Sequence, residues 1–119
     1  MNKNELLNRT RQFAVRVFKL VEKLPKTEAS KGVTYQLLKS SSSVAANYRE
    51  VNRAKSKIDF ANKIKIVLEE SDESNFWLTF IIDVALLKPD QEINNLIKES
   101  DEFIAIFTAS LKTLSKSKS

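Results

Sequence analysis

Residues 40–50 read SSSSVAANYRE, and six of the first seven side chains are serine or alanine. None of them breaks a helix, and small side chains let neighbouring helices approach closely. At 100° per residue, Leu37, Ser41, Val44, Tyr48 and Val51 share one face, widened by Leu38 and Ala45, while Ser40, Ser42, Ser43 and Ala46 fall on the others. No side of this helix is bulky at its middle. A helix packed on one partner needs small residues along one stripe only, so the stretch predicts the crowded centre of a helical assembly with several neighbours. A local explanation also accounts for the run: a mid-helix serine can bond its hydroxyl back to the carbonyl four residues earlier.

Working outward, this helix spans about 28–54, with Thr27 as its N-cap and Gly32 an early weak point. Before it, Leu6, Phe13, Val17, Leu20, Val21 and Leu24 recur at helical spacing, predicting a first helix over about 4–24 that Pro25 terminates. After it, Ser56 followed three residues later by Asp59 has the form of a capping box, opening a third helix over about 57–87. Its last part, FWLTFIIDVALL at 76–87, holds ten apolar residues in twelve, which predicts burial all round and a second chain to cover what four helices cannot. Lys88, Pro89 and Asp90 make the next turn, and a fourth amphipathic helix runs over about 90–114. The tail, 115–119, reads SKSKS and is expected to be disordered. Short turns make sequence neighbours antiparallel, so the expected fold is all-α: one domain over 1–114, an up-down-up-down four-helix bundle. With the turn near Lys55 and Ser56, Arg53 should meet Asp59, and residues 40–43 should meet 69–72.

The composition excludes most chemistry. The chain has no His and no Cys, so it builds no His-based acid or base, no Ser-His-Asp triad, no thiolate site and no disulfide. A single Gly rules out a glycine-rich phosphate loop. No apolar run approaches the ~20 residues that span a bilayer, and the polar start MNKNELLNRT lacks the apolar core of a secretory signal; the cytoplasm is the expected location. The one acidic constellation is Glu69, Glu70, Asp72 and Glu73, for which Lys65, Lys39 and Arg49 are the expected partners. No catalytic residue, metal site or cofactor is predicted.

Charge is unevenly spread. Residues 1–57 hold thirteen Lys and Arg against four Asp and Glu, whereas 58–119 hold seven against eleven. On the first helix Arg9, Arg16 and Lys23 repeat every seven residues beside Lys19, and Arg11, Lys26, Lys31 and Lys39 extend the basic surface. These eight are the candidate contacts to an RNA or DNA backbone; the apolar faces of Phe13 and Phe18 do not interleave with them, which argues against base stacking. A solvated lysine-rich surface accounts for the same pattern. Ser42, Ser43, Ala46, Asn47, Arg49 and Glu50, with Arg53, Asp59 and Trp77, are the expected oligomer-contact or buried polar positions. The candidate partners are a second copy of the chain, nucleic acid or another protein.

Gln36, Leu37, Lys39, SSVAAN at 42–47, Glu50, the basic turn at 53–57, then Asp59 and Phe60, together with FAVRVFKLVEKLP at 13–25, resemble one family. It is that of the four-helix-bundle proteins also called 23S rRNA intervening-sequence proteins, to which the accessory variability protein of diversity-generating retroelements is related. The resemblance implies an antiparallel bundle assembling as a ring-shaped homopentamer, without established enzymatic activity. It also implies, by way of the retroelement relative, a basic surface for nucleic acid and a reverse transcriptase. Where such proteins often carry Pro before the Ala-Asn pair and Gly after the Glu, this chain has Ala45 and Val51. A straighter, longer second helix is therefore expected.

Overall fold

Short polar side chains set where each helix begins. Asn2 caps α1 (Lys3–Val21) by accepting from the Glu5 amide at 2.9 Å, and Thr27 caps α2 (Glu28–Val51) through the Ser30 amide at 3.2 Å. Ser56 caps α3 (Lys57–Asp83) through the Asp59 amide at 3.0 Å, while the Asp59 carboxylate accepts from the Lys55 amide at 3.0 Å. Asp90 accepts from the Ile93 amide at 2.9 Å at the start of α4 (Gln91–Lys116). These features come from a computed structural model that describes residues 1–116, which form four helices and no strand.

The helix ends differ from expectation, for a common reason: apolar periodicity reports burial and does not stop where the helix stops. α1 ends at Val21, yet Leu24 stays buried because its amide turns back to the Val21 carbonyl at 3.1 Å. α2 passes through Ala45 unbroken but ends at Val51, where the Ala54 amide bonds Val51 at 3.2 Å. α3 stops at Asp83, four residues early. There the Leu86 amide reaches the Ile81 carbonyl and the Ala85 amide the Ile82 carbonyl, both at 3.0 Å, with Ala85 at φ 58°. This is a Schellman cap with alanine in the left-handed position that glycine usually fills. α4 continues to Lys116, so Ser115 and Lys116 of the expected tail are helical; 117–119 lie outside the described residues.

The bundle measures 50 × 22 × 20 Å. Each helix contacts its two neighbours, most extensively where α2 meets α3 and least where α1 meets α4, a difference that side-chain size explains. Between α2 and α3 sit Ser40, Ser41, Ser71 and Ser74, all buried. Their hydroxyls bond back into their own helices, Ser71 to the Val67 carbonyl at 2.8 Å and Ser74 to Glu70 at 2.9 Å, and Ser74 also meets Ser40 across the seam at 3.0 Å. On this face the local explanation of the serine run holds: close approach is possible because the hydroxyls are satisfied within the helix, sparing a cost of about 1–3 kcal/mol each, whereas Ser42 and Ala46 on the other faces are exposed rather than crowded. Between α1 and α4 the filling is aromatic, with Phe13 edge-on to Phe103 at 5.4 Å, and Phe107 of α4 also meets Tyr48 of α2 at 5.7 Å across the core.

Burial of 76–87 is not all-round. Leu78 and Ile81 are fully buried, but Phe76 is 53% exposed, and Val84 is exposed in the cap turn. A bundle of four buries one stripe of each member; Trp77, Phe80 and Ile82 are half-buried against that core, while Ile58, Ile66 and Phe76 are exposed. No helix of the described residues is long and apolar enough to cross a membrane.

Candidate interaction surfaces

Arg9 and Arg16 of the seven-residue basic repeat face α4, and α4 answers them. Arg9 donates from Nε to one Glu99 oxygen at 3.0 Å and from Nη2 to the other, and also reaches Glu102 at 3.1 Å. Its guanidinium lies 5.5 Å from the centre of the Phe103 ring. The hydrogen-bonded Glu99 carboxylate holds the Arg9 pKa above its ordinary value, against the opposing effect of burial. Arg16 pairs with Glu92 at 3.2 Å, and exposed Lys31 pairs with Glu28 at 3.4 Å within its own helix. Arg11, Lys19, Lys23, Lys26 and Lys39 are exposed and make no salt bridge among the described residues. Two of the three members of the repeat thus tie α1 to α4.

The α2–α3 turn also differs from its expected pairing. Arg53 bends back to Glu50 at 3.3 Å rather than meeting Asp59, because α2 ends before it. Asp59 is occupied by the Lys55 amide and the Lys63 ammonium, the latter at 3.0 Å, and these contacts hold its pKa below the ordinary value. Asn47 donates to the Ser43 carbonyl at 2.8 Å and is half-buried within the chain.

Across α2 and α3, Ser43 hydrogen-bonds Glu70 and Ser40 reaches Ser74, contacts that lie two to three residues further along α3 than the expected register. Burial raises the Glu70 pKa, Ser43 and Lys39 oppose that rise, and Glu73 and Glu69 add to it. Trp77 donates to Glu73 at 3.3 Å. Among the described residues no three carboxylates converge as a metal site would need. Lys39 is the cation that acts on this cluster; Lys65 and Arg49 make no salt bridge to it.

Two apolar surfaces remain open. One is a groove of about 650 Å³ between α1 and α2, floored by Leu7, Ala14, Val15, Phe18, Ala45 and Ala46 and rimmed by Arg11, Lys19, Arg49 and Ser42. Phe18 is 58% exposed there, and Tyr35 further along α2 is 62% exposed. The groove exists because of the small residues of the opening stretch: Ala45 and Ala46 leave space that longer side chains would fill. The other surface is the outer side of α3, where Phe76, Trp77 and Phe80 pack into a cluster with ring centres 4.9, 5.7 and 5.6 Å apart. The α3 surface lies in the apolar run for which a second chain was expected as cover; the groove was not apparent from the sequence, although exposed Phe18 and Tyr35 are the signal that marks it.

Comparison with known proteins follows from this architecture. The sequence profile described as 23S rRNA-intervening sequence protein matches residues 2–109. A solved crystal structure, a protein with unknown function from the S23 ribosomal protein family of Bacteroides thetaiotaomicron VPI-5482, is 28% identical. It covers 90% of this chain and 98% of its own, with a TM-score of 0.80. No curated protein matches.

Proposed function

The chain belongs to the 23S rRNA-intervening sequence protein family, and we propose that it works without catalysing a reaction, as a self-assembling four-helix bundle that offers cations to an RNA or DNA backbone. The observation that carries this reading is the pair of open apolar surfaces, the α1/α2 groove and the outer side of α3, on a chain with neither His nor Cys. Contiguous exposed apolar surface rimmed by polar residues marks a protein interface. The nucleic-acid part is supported by the ribosomal RNA in the family's name and by exposed Arg11, Lys19, Lys23, Lys26 and Lys39. Arg9 and Arg16 contribute little to it, since α4 neutralises them. Homopentamer is the assembly that the resemblance implies; the cytoplasm is the location expected from the sequence.

Mass in solution by light scattering at micromolar concentration tests assembly, and a monomer refutes it. Titration of a structured RNA at 50 and 200 mM salt tests the second part. Backbone binding weakens steeply between the two, by about one power of salt per phosphate neutralised. An oligomer that binds no RNA even at low salt leaves the second reading, a protein-interaction scaffold. That reading is favoured by the consumption of Arg9 and Arg16 inside the chain.

A further inference from the structure

We propose that Tyr35 of α2 is a stacking platform for an unpaired nucleotide, with Lys31 and Lys39 holding the phosphates on either side of it. This rests on the nucleic-acid part of the reading above and names its ligand, a single-stranded segment rather than a duplex. Tyr35 is 62% exposed, and its ring packs on no other ring among the described residues. Lys31 and Lys39 stand four residues before and after it, so the ring and both cations share one exposed face, the two lysine positions about 12 Å apart along the helix. Lys31 pairs with Glu28 at 3.4 Å in an exposed contact that solvent weakens. Lys39 makes no salt bridge among the described residues, although its charge reaches Glu70.

Gly32 supplies the second observation. A glycine inside a helix costs stability relative to alanine, and a close approach to the backbone is what commonly requires one. Nothing within the chain makes that approach: no atom lies within 4 Å of the place a Gly32 Cβ would take, the Tyr35 ring included. Long side chains on a helix lean back over the residues three and four before them, so the bare backbone at Gly32 lies beside the Tyr35 ring. The chain's single glycine thus leaves open the space in which a flat base can lie against that ring. The surroundings are cationic, since residues 19–39 hold five Lys against two Glu, one of them the Glu28 already paired. Neither Phe13 nor Phe18 can play this part, because Phe13 is buried against Phe103 and Phe18 lines the α1/α2 groove. Tyr35 stands outside that groove, about 10 Å along α2 from Ser42, and so does not compete with the surface proposed for assembly.

The test compares a short single strand, once as RNA and once as DNA, with the blunt RNA duplex of the same sequence, by fluorescence anisotropy on the full chain at low and moderate salt. Tyr35→Ala is expected to weaken the single strand about 5- to 150-fold, the range of one base–aromatic stack, with the duplex and the salt slope unchanged. The loss falls on RNA and DNA alike, since the ring meets the base and not the sugar, and Tyr35→Phe keeps wild-type affinity. Lys39→Gln instead lowers the salt slope by about 0.7, the contribution of one phosphate on a single strand. Gly32→Leu favours the helix and meets nothing in the chain, so it raises the thermal midpoint yet weakens the single strand by about fivefold or more. A Tyr35→Ala protein that binds the single strand as the wild type does, or that loses duplex and single strand equally, overturns the stacking site and leaves backbone binding standing. A wild type that binds none of the three nucleic acids at low salt overturns backbone binding itself, and the site with it.

Discussion

Replacing Arg9 by Gln separates the bundle's internal electrostatics from its outward ones. In the wild type, Arg9 is 22% exposed and its partner Glu99 17%, so the pair sits between a surface ion pair and a buried one. Exposed pairs contribute about 0–1 kcal/mol, whereas hydrogen bonds to charged groups in partly buried sites contribute about 1.5–3. The guanidinium over Phe103 adds about 0.5–1 kcal/mol. Glutamine keeps part of the stem packing and loses the paired charge, leaving Glu99 half-desolvated without its cation. A loss of about 2 kcal/mol follows. For 119 residues an unfolding entropy of about 2.1 cal/mol/K per residue makes 1 kcal/mol worth roughly 4 °C, so the midpoint should fall by roughly 8 °C. Thermal unfolding followed by circular dichroism at one fixed chain concentration measures it, since assembly makes the midpoint concentration-dependent. Arg11→Gln, at an exposed position with no salt bridge, is the control and should stay within about 0.5 kcal/mol at the same chain concentration. In a double-mutant cycle with Glu99→Gln, a coupling of about 1–2 kcal/mol is expected. An Arg9 variant as stable as the Arg11 control, but weaker in RNA binding, would refute the assignment of Arg9 to the α1–α4 seam.

Three further outcomes follow from particular sites. Ala85→Gly relieves a left-handed alanine that costs about 1–2 kcal/mol, less the ~0.5–1 kcal/mol that glycine loses in chain entropy; a midpoint 2–4 °C higher is expected, and a fall would show that the cap geometry differs. Ser30 is buried with its hydroxyl unpartnered, so Ser30→Ala should stabilise by about 1 kcal/mol in equilibrium urea unfolding, with an unchanged slope on denaturant. Glu70 has a raised pKa, chiefly from burial, so the native state holds its proton more tightly than the unfolded chain and this residue's contribution to stability declines as pH rises through the carboxylate range. Glu70→Gln should therefore be more stable than wild type at neutral pH and lose that advantage below the ordinary glutamate pKa; an advantage independent of pH would assign the effect to packing.

Which residues are helical and which are core was legible in the sequence, because both are properties of local spacing. Leu6, Phe13, Val17 and Leu20 of α1 and Leu37, Val44 and Tyr48 of α2 are buried on the faces their period selects. Thr27 and Ser56 cap their helices because a hydroxyl at that position has an amide within reach whatever the rest of the chain does. The family resemblance was legible for the same reason: it lay in contiguous residues of α2 and the turn after it.

Tertiary structure decided what each side chain meets across a helix boundary. Arg9 and Arg16 have the spacing of an exposed basic stripe, but helical phase on α1 says nothing of whether Glu99, Glu102 and Glu92 stand opposite; only the closure of the α1–α4 seam brings them within 3 Å or so of each other. The end of α3 at Asp83 depends on carbonyls of its last turn being taken up by Ala85 and Leu86, a backbone event that the unbroken apolar run conceals. Residues 40–46 show the division within a single stretch. Their small size predicted close packing on several sides, and within the chain Ser40 and Ser41 are packed while Ser42 and Ala46 are exposed. That one side is the serine seam with α3, and another an open groove over Ala45 and Ala46, depends on where α1 and α3 lie, because small side chains permit an approach without specifying which neighbour makes it.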